Sequence, residues 1–478
     1  MDGRTGATRG DWKPEPGDWE REGDTCVALL RDLIRIPTVN RGTGGDEGAG
    51  NERPAAELLA EFLRKAGLEP KFFEKVKGRT NLVVRLKGTG KKPPLLLNAH
   101  LDVVEADASA WRHDPFAAEI HDGYVWGRGA VDMKHMAAMS ACVMALLAQE
   151  ARDGRKLDRD IIFAAVADEE AGCGLGSLFL TEDHPVEVHA EYMLGEIGAF
   201  SVQVFGKTFY PIQVAEKGVC WVRATYQGEP GHGSMPRPGS AIVRLSEAIG
   251  RLGKQRMPFH PTEVVKHFLH GMAKELPAPQ RLVLKRLTLP QVAALILDHV
   301  IRDEGQRASF SAMLSNTAAP TVLRAGAKVN VIPGRASVDI DGRTLPGQSE
   351  SAFLAELREV MGGDPHFEVL RTMPAVESTT RTPLFDHLAA TLQRHDPTGH
   401  PLPYLIPGFT DAKAYARLGT TCYGFSPVRF DPTHEVNFTK MYHGHDERIP
   451  VSGLKWGLRV LYEAVSDFCT KAGPDEAR

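Results

Sequence analysis

The chain has 478 residues, 42% hydrophobic and 25% charged, with a formal net charge of -4. That length exceeds a single ordinary core of roughly 100 to 200 residues, so two domains are expected. The mild negative charge and the lack of any Lys/Arg-rich block exclude a phosphate-backbone partner, and no nucleic acid is expected.

In chain order, a helix is expected after Asp24 and a second over residues 52–66, closed by Gly67. Short apolar runs then alternate with helical ones: LVVRLKG at 82–88, LLLNAH at 95–100, a long helix over 132–149, IIFAAVADEE at 161–170, a short helix near Leu178 and YMLGEIG at 192–198. Near-continuous apolar strands alternating with helices imply an α/β sheet covered on both faces. From about Lys217 the rhythm changes to a strand, a helix over 240–252, a long helical stretch to about Glu304, and strands near Thr321 and at 336–341. After Leu345 the alternation resumes, with helices at 351–361 and 384–393, strands near Tyr404 and Tyr423, and a last helix over 454–468. The expected architecture is a discontinuous three-layer α/β/α domain, residues 1–216 and 345–478, interrupted by a smaller α+β domain at 217–344.

Six cysteines stand singly, without the paired spacing of a structural zinc site, and read as reduced thiols. The first 25 residues hold no signal-peptide core and no run approaches about 18 apolar residues. A cytoplasmic protein without a membrane partner is the expectation.

Ligands of open α/β sheets bind at the C-terminal ends of the strands. There stand His100 and Asp102 at the end of LLLNAH, Glu169 and Glu170 ending IIFAAVADEE, and Glu196 ending YMLGEIG, with Asp132 of GRGAVDM opening the next helix and His443 downstream in YHGHDERIP. Imidazoles and carboxylates without thiolates suit zinc, manganese or cobalt with open positions for water. Carboxylates ending three buried strands are costly unless a dication offsets their desolvation.

HLD, GRGAVDMK, ADEEAG, GEIG, GHGS and HGHDER, in this order, resemble the motifs of metallopeptidase family 20: the aminoacylases, acetylornithine deacetylases, desuccinylases and glutamate carboxypeptidases. The resemblance spans about residues 24–470 and is nearest to the carboxypeptidase-like branch, including the long segment 255–311. It implies two zinc ions, with cobalt or manganese as substitutes: His100 and Glu196 on one, Glu170 and His443 on the other, Asp132 bridging, with a cis peptide between Asp132 and Met133. His443 is preferred over His445 by its spacing to Glu447. The resemblance further implies Glu169 as general base, Asp102 as the carboxylate orienting His100, and His232 of GHGS as oxyanion donor, supplied in the family from the partner subunit of a dimer. Asn330, Arg343, Gly408 and Thr410 are the implied substrate contacts, Arg343 for a carboxylate. Phe409 stands where relatives often have glycine, implying a bulkier pocket wall. The expected activity is hydrolysis of a peptide or N-acyl amide bond beside a free carboxylate, by a homodimer formed through the inserted domain. A catalytically idle binding relative has no need of Glu169, and a two-metal phosphoesterase would need a basic phosphate cradle that is absent.

Overall fold

The computed structural model describes residues 17–42, 50–430 and 441–470. They form two units, the first comprising residues up to Gln213, Thr379–Pro401 and the chain from Thr410 onward, the second Val214–Ser378 and Leu402–Phe409.

The sheet of the first unit runs Lys71–Glu74, Thr80–Leu86, Ile161–Val166, Leu95–His100, Tyr192–Gly195, Thr421–Gly424 and Lys207–Glu216, the chain leaving the unit along that last strand. The four strands from Ile161–Val166 to Thr421–Gly424 are mutually parallel and the flanking ones antiparallel, so the sheet is mixed. Every residue of Ile161–Val166 and Leu95–His100 is buried, as expected for strands covered on both faces. The helix Lys134–Arg152 packs on these two strands and against the helices Trp19–Ile34 and Val451–Thr470. It is buried without a break from Lys134 to Ala148, which is why its sequence is apolar all round rather than on one stripe. The alternate residues Leu96, Ile162, Ala164 and Val166 pack instead with Phe179, Leu180, Ala412 and Tyr415 from the helices Ser177–Asp183 and Ala412–Ala416. Those two layers of helices cover the two faces of the sheet.

The second unit holds an antiparallel sheet ordered Thr317–Ala325, Arg335–Thr344, Gly218–Gln227, His366–Met373. The helices Ala241–Leu252 and Glu350–Met361 close its core over Val222, Ala224, Val338 and Ile340. This corrects the expected domain boundaries. The helix Glu350–Met361, expected after 345 in the larger domain, belongs to the smaller unit together with the strand His366–Met373, and that unit runs on to Ser378. Among the described residues no helix is long and apolar enough to cross a membrane, and all six cysteines are free and buried.

Candidate active site

The parallel strands deliver their side chains to one edge of the first unit. His100, the last residue of its strand, is fully buried, and its Nδ1 lies 2.9 Å from the backbone carbonyl of Asp102. That carbonyl accepts the ring N–H and points Nε2 inward. The Asp102 carboxylate, expected to orient the ring, stands 3.6 Å from Nδ1 and is occupied elsewhere. Its two oxygens accept the backbone N–H groups of Glu169 and Glu170, both at 3.1 Å, and the side-chain amide of Asn40 at 2.8 Å. Asp102 therefore holds the paired-glutamate loop as well as the histidine strand.

Asp132 lies at the centre. One oxygen is 3.1 Å from His100 Nε2, which is also 3.6 Å from Glu196. The other is 3.4 Å from His443 Nε2, which is 3.0 Å from Glu170. Two ligand-capable groups thus share Asp132: His100, Asp132 and Glu196, and Asp132, Glu170 and His443. A third group, His113, Glu119 and His121, shares no residue with them; its imidazoles stack 3.7 Å apart, ring against ring. Glu169 belongs to neither central group, and its carboxylate comes no nearer than 4.0 Å to His100. The peptide between Asp132 and Met133 is cis, as expected.

Glu447 is the residue that sequence motifs alone left without a role. Fully buried, its carboxylate accepts the backbone N–H groups of Gly129, Val131 and Asp132 and an N–H of Arg128, fixing the turn that presents Asp132.

Crowding sets the proton affinities. Burial, then the neighbouring Asp132, pushes Glu170 up to about 7. Burial pushes Glu196 up to about 8, and burial with the Glu196 charge raises Glu169 well above the usual carboxylate range. Burial also opposes ionisation of Asp132, yet its contacts with His100 and His443 hold it low. Hydrogen bonds to Asp132 and Glu170 raise His443 to about 10. Three carboxylates and two imidazoles, His443 the more exposed of the two, form a donor set that cations stabilise.

The remaining expected residues divide between the units. In the second, His232 pairs with Val331, next to Asn330, whose carbonyl accepts the N–H of Gly233. His232 Nδ1 receives the Ser234 backbone N–H at 3.2 Å and lies 2.7 Å from Ser234 Oγ, so the ring proton sits on the exposed Nε2. Arg343 is held by both oxygens of Asp341, and the Phe409 ring stacks 5.3 Å from its guanidinium. Arg343 Nη1 is buried without a hydrogen-bond partner among the described residues. Gly408 belongs to the second unit and Thr410 to the first, where the Thr410 hydroxyl caps Ala412.

Carboxylates and imidazoles converging beyond the ends of parallel strands define the class as an α/β hydrolytic enzyme. The model of peptidase family M20/M25/M40 matches residues 96–467, and the chain belongs to that family of metal-dependent peptidases and amidohydrolases. It is 28% identical over 408 residues to a probable carboxypeptidase S-like 2 of Dictyostelium discoideum, covering 81% of this chain and 74% of that one. It is 27% identical over 483 residues to the N-fatty-acyl-amino acid synthase/hydrolase PM20D1 of Mus musculus, covering 95% and 90%. Among solved structures, the M20 metallo-carboxypeptidase Sso-CP2 from Sulfolobus solfataricus shares the fold with a TM-score of 0.65 at 18% identity, over 92% of this chain and 98% of that one.

Proposed function

We propose that this chain hydrolyses a peptide or N-acyl amide bond beside a free carboxylate, with two zinc ions held by His100, Asp132, Glu196, Glu170 and His443, and cobalt or manganese as substitutes. The observation that carries this reading is Asp132, whose two oxygens face separate imidazole–carboxylate pairs. A hard, all-nitrogen-and-oxygen donor set with no thiolate fits such ions.

When bound, a pair of dications lowers the pKa of a shared water and polarises the scissile carbonyl. Glu169, outside both ligand groups and raised in proton affinity by burial, is suited to take a proton from the attacking water. The water oxygen bonds to the carbonyl carbon, Glu169 then passes the proton to the departing nitrogen, and the C–N bond breaks. His232 offers its Nε2–H to the oxyanion. Arg343, whose Nη1 has no hydrogen-bond partner among the described residues, takes the carboxylate of the substrate, with Gly408 and Thr410 as further substrate contacts, and Asn330, at the far end of the strand Arg335–Thr344 beside His232, contacts the substrate from there. The smaller unit serves as lid and as the surface of a homodimer.

The test is a zinc-reconstituted activity screen over dipeptides, N-acetyl-amino acids and N-fatty-acyl-amino acids, with Glu169→Ala as the blank. Hydrolysis of one class by the wild type, reduced about 100-fold or more in the variant while zinc content is unchanged, is expected. Equal inactivity of both proteins with zinc bound would overturn the hydrolytic reading.

A further inference from the structure

We propose that Arg79 is a positioning residue of the hydrolytic site: its guanidinium holds the turn at Asp168 that presents Glu169 and Glu170. The inference rests on the roles given above to those two glutamates.

Asp168 adopts the left-handed conformation, φ 67°, immediately before the pair. A non-glycine residue there needs outside support. Its backbone carbonyl accepts the N–H of Cys173 at 2.6 Å, and one carboxylate oxygen accepts the N–H of Leu175 at 3.0 Å. The other oxygen takes Asn40 Nδ2 and Arg79 Nη2, each at 3.1 Å. The same Asn40 amide reaches Asp102, which holds the Glu169 and Glu170 N–H groups. The three residues 168–170 are thus gripped by Asp102 on one side and by Arg79 through Asp168 on the other.

Arg79 is itself immobilised. It is 1% exposed, and Glu52, 0% exposed, takes its Nε at 2.8 Å and its Nη2 at 2.8 Å. A Cβ on Gly50 would lie 3.1 Å from the guanidinium carbon, so the backbone closes over it. One planar cation therefore serves two buried carboxylates, through a fork that a lysine ammonium cannot reproduce. The Glu52 arm anchors the guanidinium; the Asp168 arm transmits its position to the paired glutamates. None of Arg79, Glu52, Asp168 and Asn40 is among the substrate contacts proposed above, so their effect falls on how the base and one ligand are placed.

The experiment compares Arg79→Lys with Glu52→Gln in the full chain. Zinc affinity of the metal-stripped protein is measured by competition with a chromophoric chelator, and kcat and KM on the substrate class found in the screen. For Arg79→Lys the expectation is a loss of about 10-fold or more in kcat with KM within about twofold, and about 10-fold weaker binding of one zinc. Glu52→Gln, which loosens the anchor but leaves the Asp168 arm intact, should lose less kcat and less zinc affinity than Arg79→Lys. If Arg79→Lys does not fold, Asp168→Asn, which keeps a residue tolerant of the left-handed turn, must reproduce the loss. Unchanged kcat and zinc affinity in Arg79→Lys overturns the proposal, and so does an equal loss in both variants that tracks their lost thermal stability. If the wild type shows no Glu169-dependent activity, the hydrolytic reading fails, and the zinc titration alone decides the role of Arg79.

Discussion

His443 and His445 are separated by a single glycine, yet His443 stands 3.0 Å from Glu170 while no ligand-capable group among the described residues includes His445. His443→Ala is expected to lower bound zinc from about two ions per chain to about one and to abolish hydrolysis, with His445→Ala leaving both as in wild type. Elemental analysis with a rate assay checks this, and the reverse pattern would exchange the two histidines. At this scale His100, Glu170 and Glu196 were legible because polar groups ending wholly apolar strands are conspicuous against the pattern that precedes them, whereas Asp132 and His443, both in turns, were legible only through the resemblance of their motifs. Their supports were not. Asn40, Arg79 and Glu447 lie 62, 89 and 315 residues from the groups they hold, Asp102, Asp168 and the Asp132 amide. No local periodicity records such partnerships. The role of Asp102 was legible only in part, because nothing in a sequence separates its carbonyl, which takes the His100 ring, from its carboxylate, which takes the glutamate loop.

Elements dock here through glycine as much as through large side chains. In the helix Val451–Thr470, a Cβ on Gly453 would fall 2.0 Å from the Arg429 carbonyl oxygen and one on Gly457 1.8 Å from that of Pro427. Gly457→Ala is therefore expected to cost about 1–3 kcal/mol through backbone displacement, outweighing the gain in helix propensity. Gly250, inside the helix Ala241–Leu252, has nothing among the described residues within 4 Å of its added Cβ, and Gly250→Ala should stabilise by about 0.5–1 kcal/mol. Urea denaturation of the two variants reads the opposite signs, and stabilisation by both would show that the terminal helix is free to shift. Strand type was legible for the apolar runs from Thr80–Leu86 to Thr421–Gly424, but not for the edge strand Lys71–Glu74 or for Lys207–Glu216, and allegiance was not legible either. HFEVLRTM follows an amphipathic helix, as a strand of the main sheet would, yet its burial alternates from residue to residue, the mark of an antiparallel strand with one face in water. Weighed against the unbroken burial of LLLNAH, that alternation is the signal that moves 366–373 into the smaller unit.

At the scale of the whole molecule, stability depends on pH through buried cations. Burial, then the charge of Arg343, lowers Lys217 to about 7, and its amine donates to the Ser315 carbonyl at 2.7 Å. Above that pH the folded chain carries a neutral amine, while the unfolded chain stays protonated up to about 10.4. In that window the unfolded state binds the extra proton, so stability at this site rises by about 1.4 kcal/mol per pH unit and is lost as pH falls toward 7. Relative to Lys217→Met, the wild type should gain unfolding free energy between about pH 7 and about pH 9 in paired urea melts; a constant difference would mean that the lysine stays charged in the fold. The division into units has a consequence for dissecting the protein. The chain passes between them at 213/214, 378/379, 401/402 and 409/410. A proteolytic nick at any one crossing leaves the other three intact, so cleavage there releases no fragment. Excising 214–378 as one recombinant piece would omit 402–409, whose Ile406 carbonyl accepts the Lys217 N–H and whose Tyr404 ring packs on Phe268. The smaller unit is thus a split assembly, to be rebuilt only by supplying its missing octapeptide as a complementing strand or through a new covalent linker.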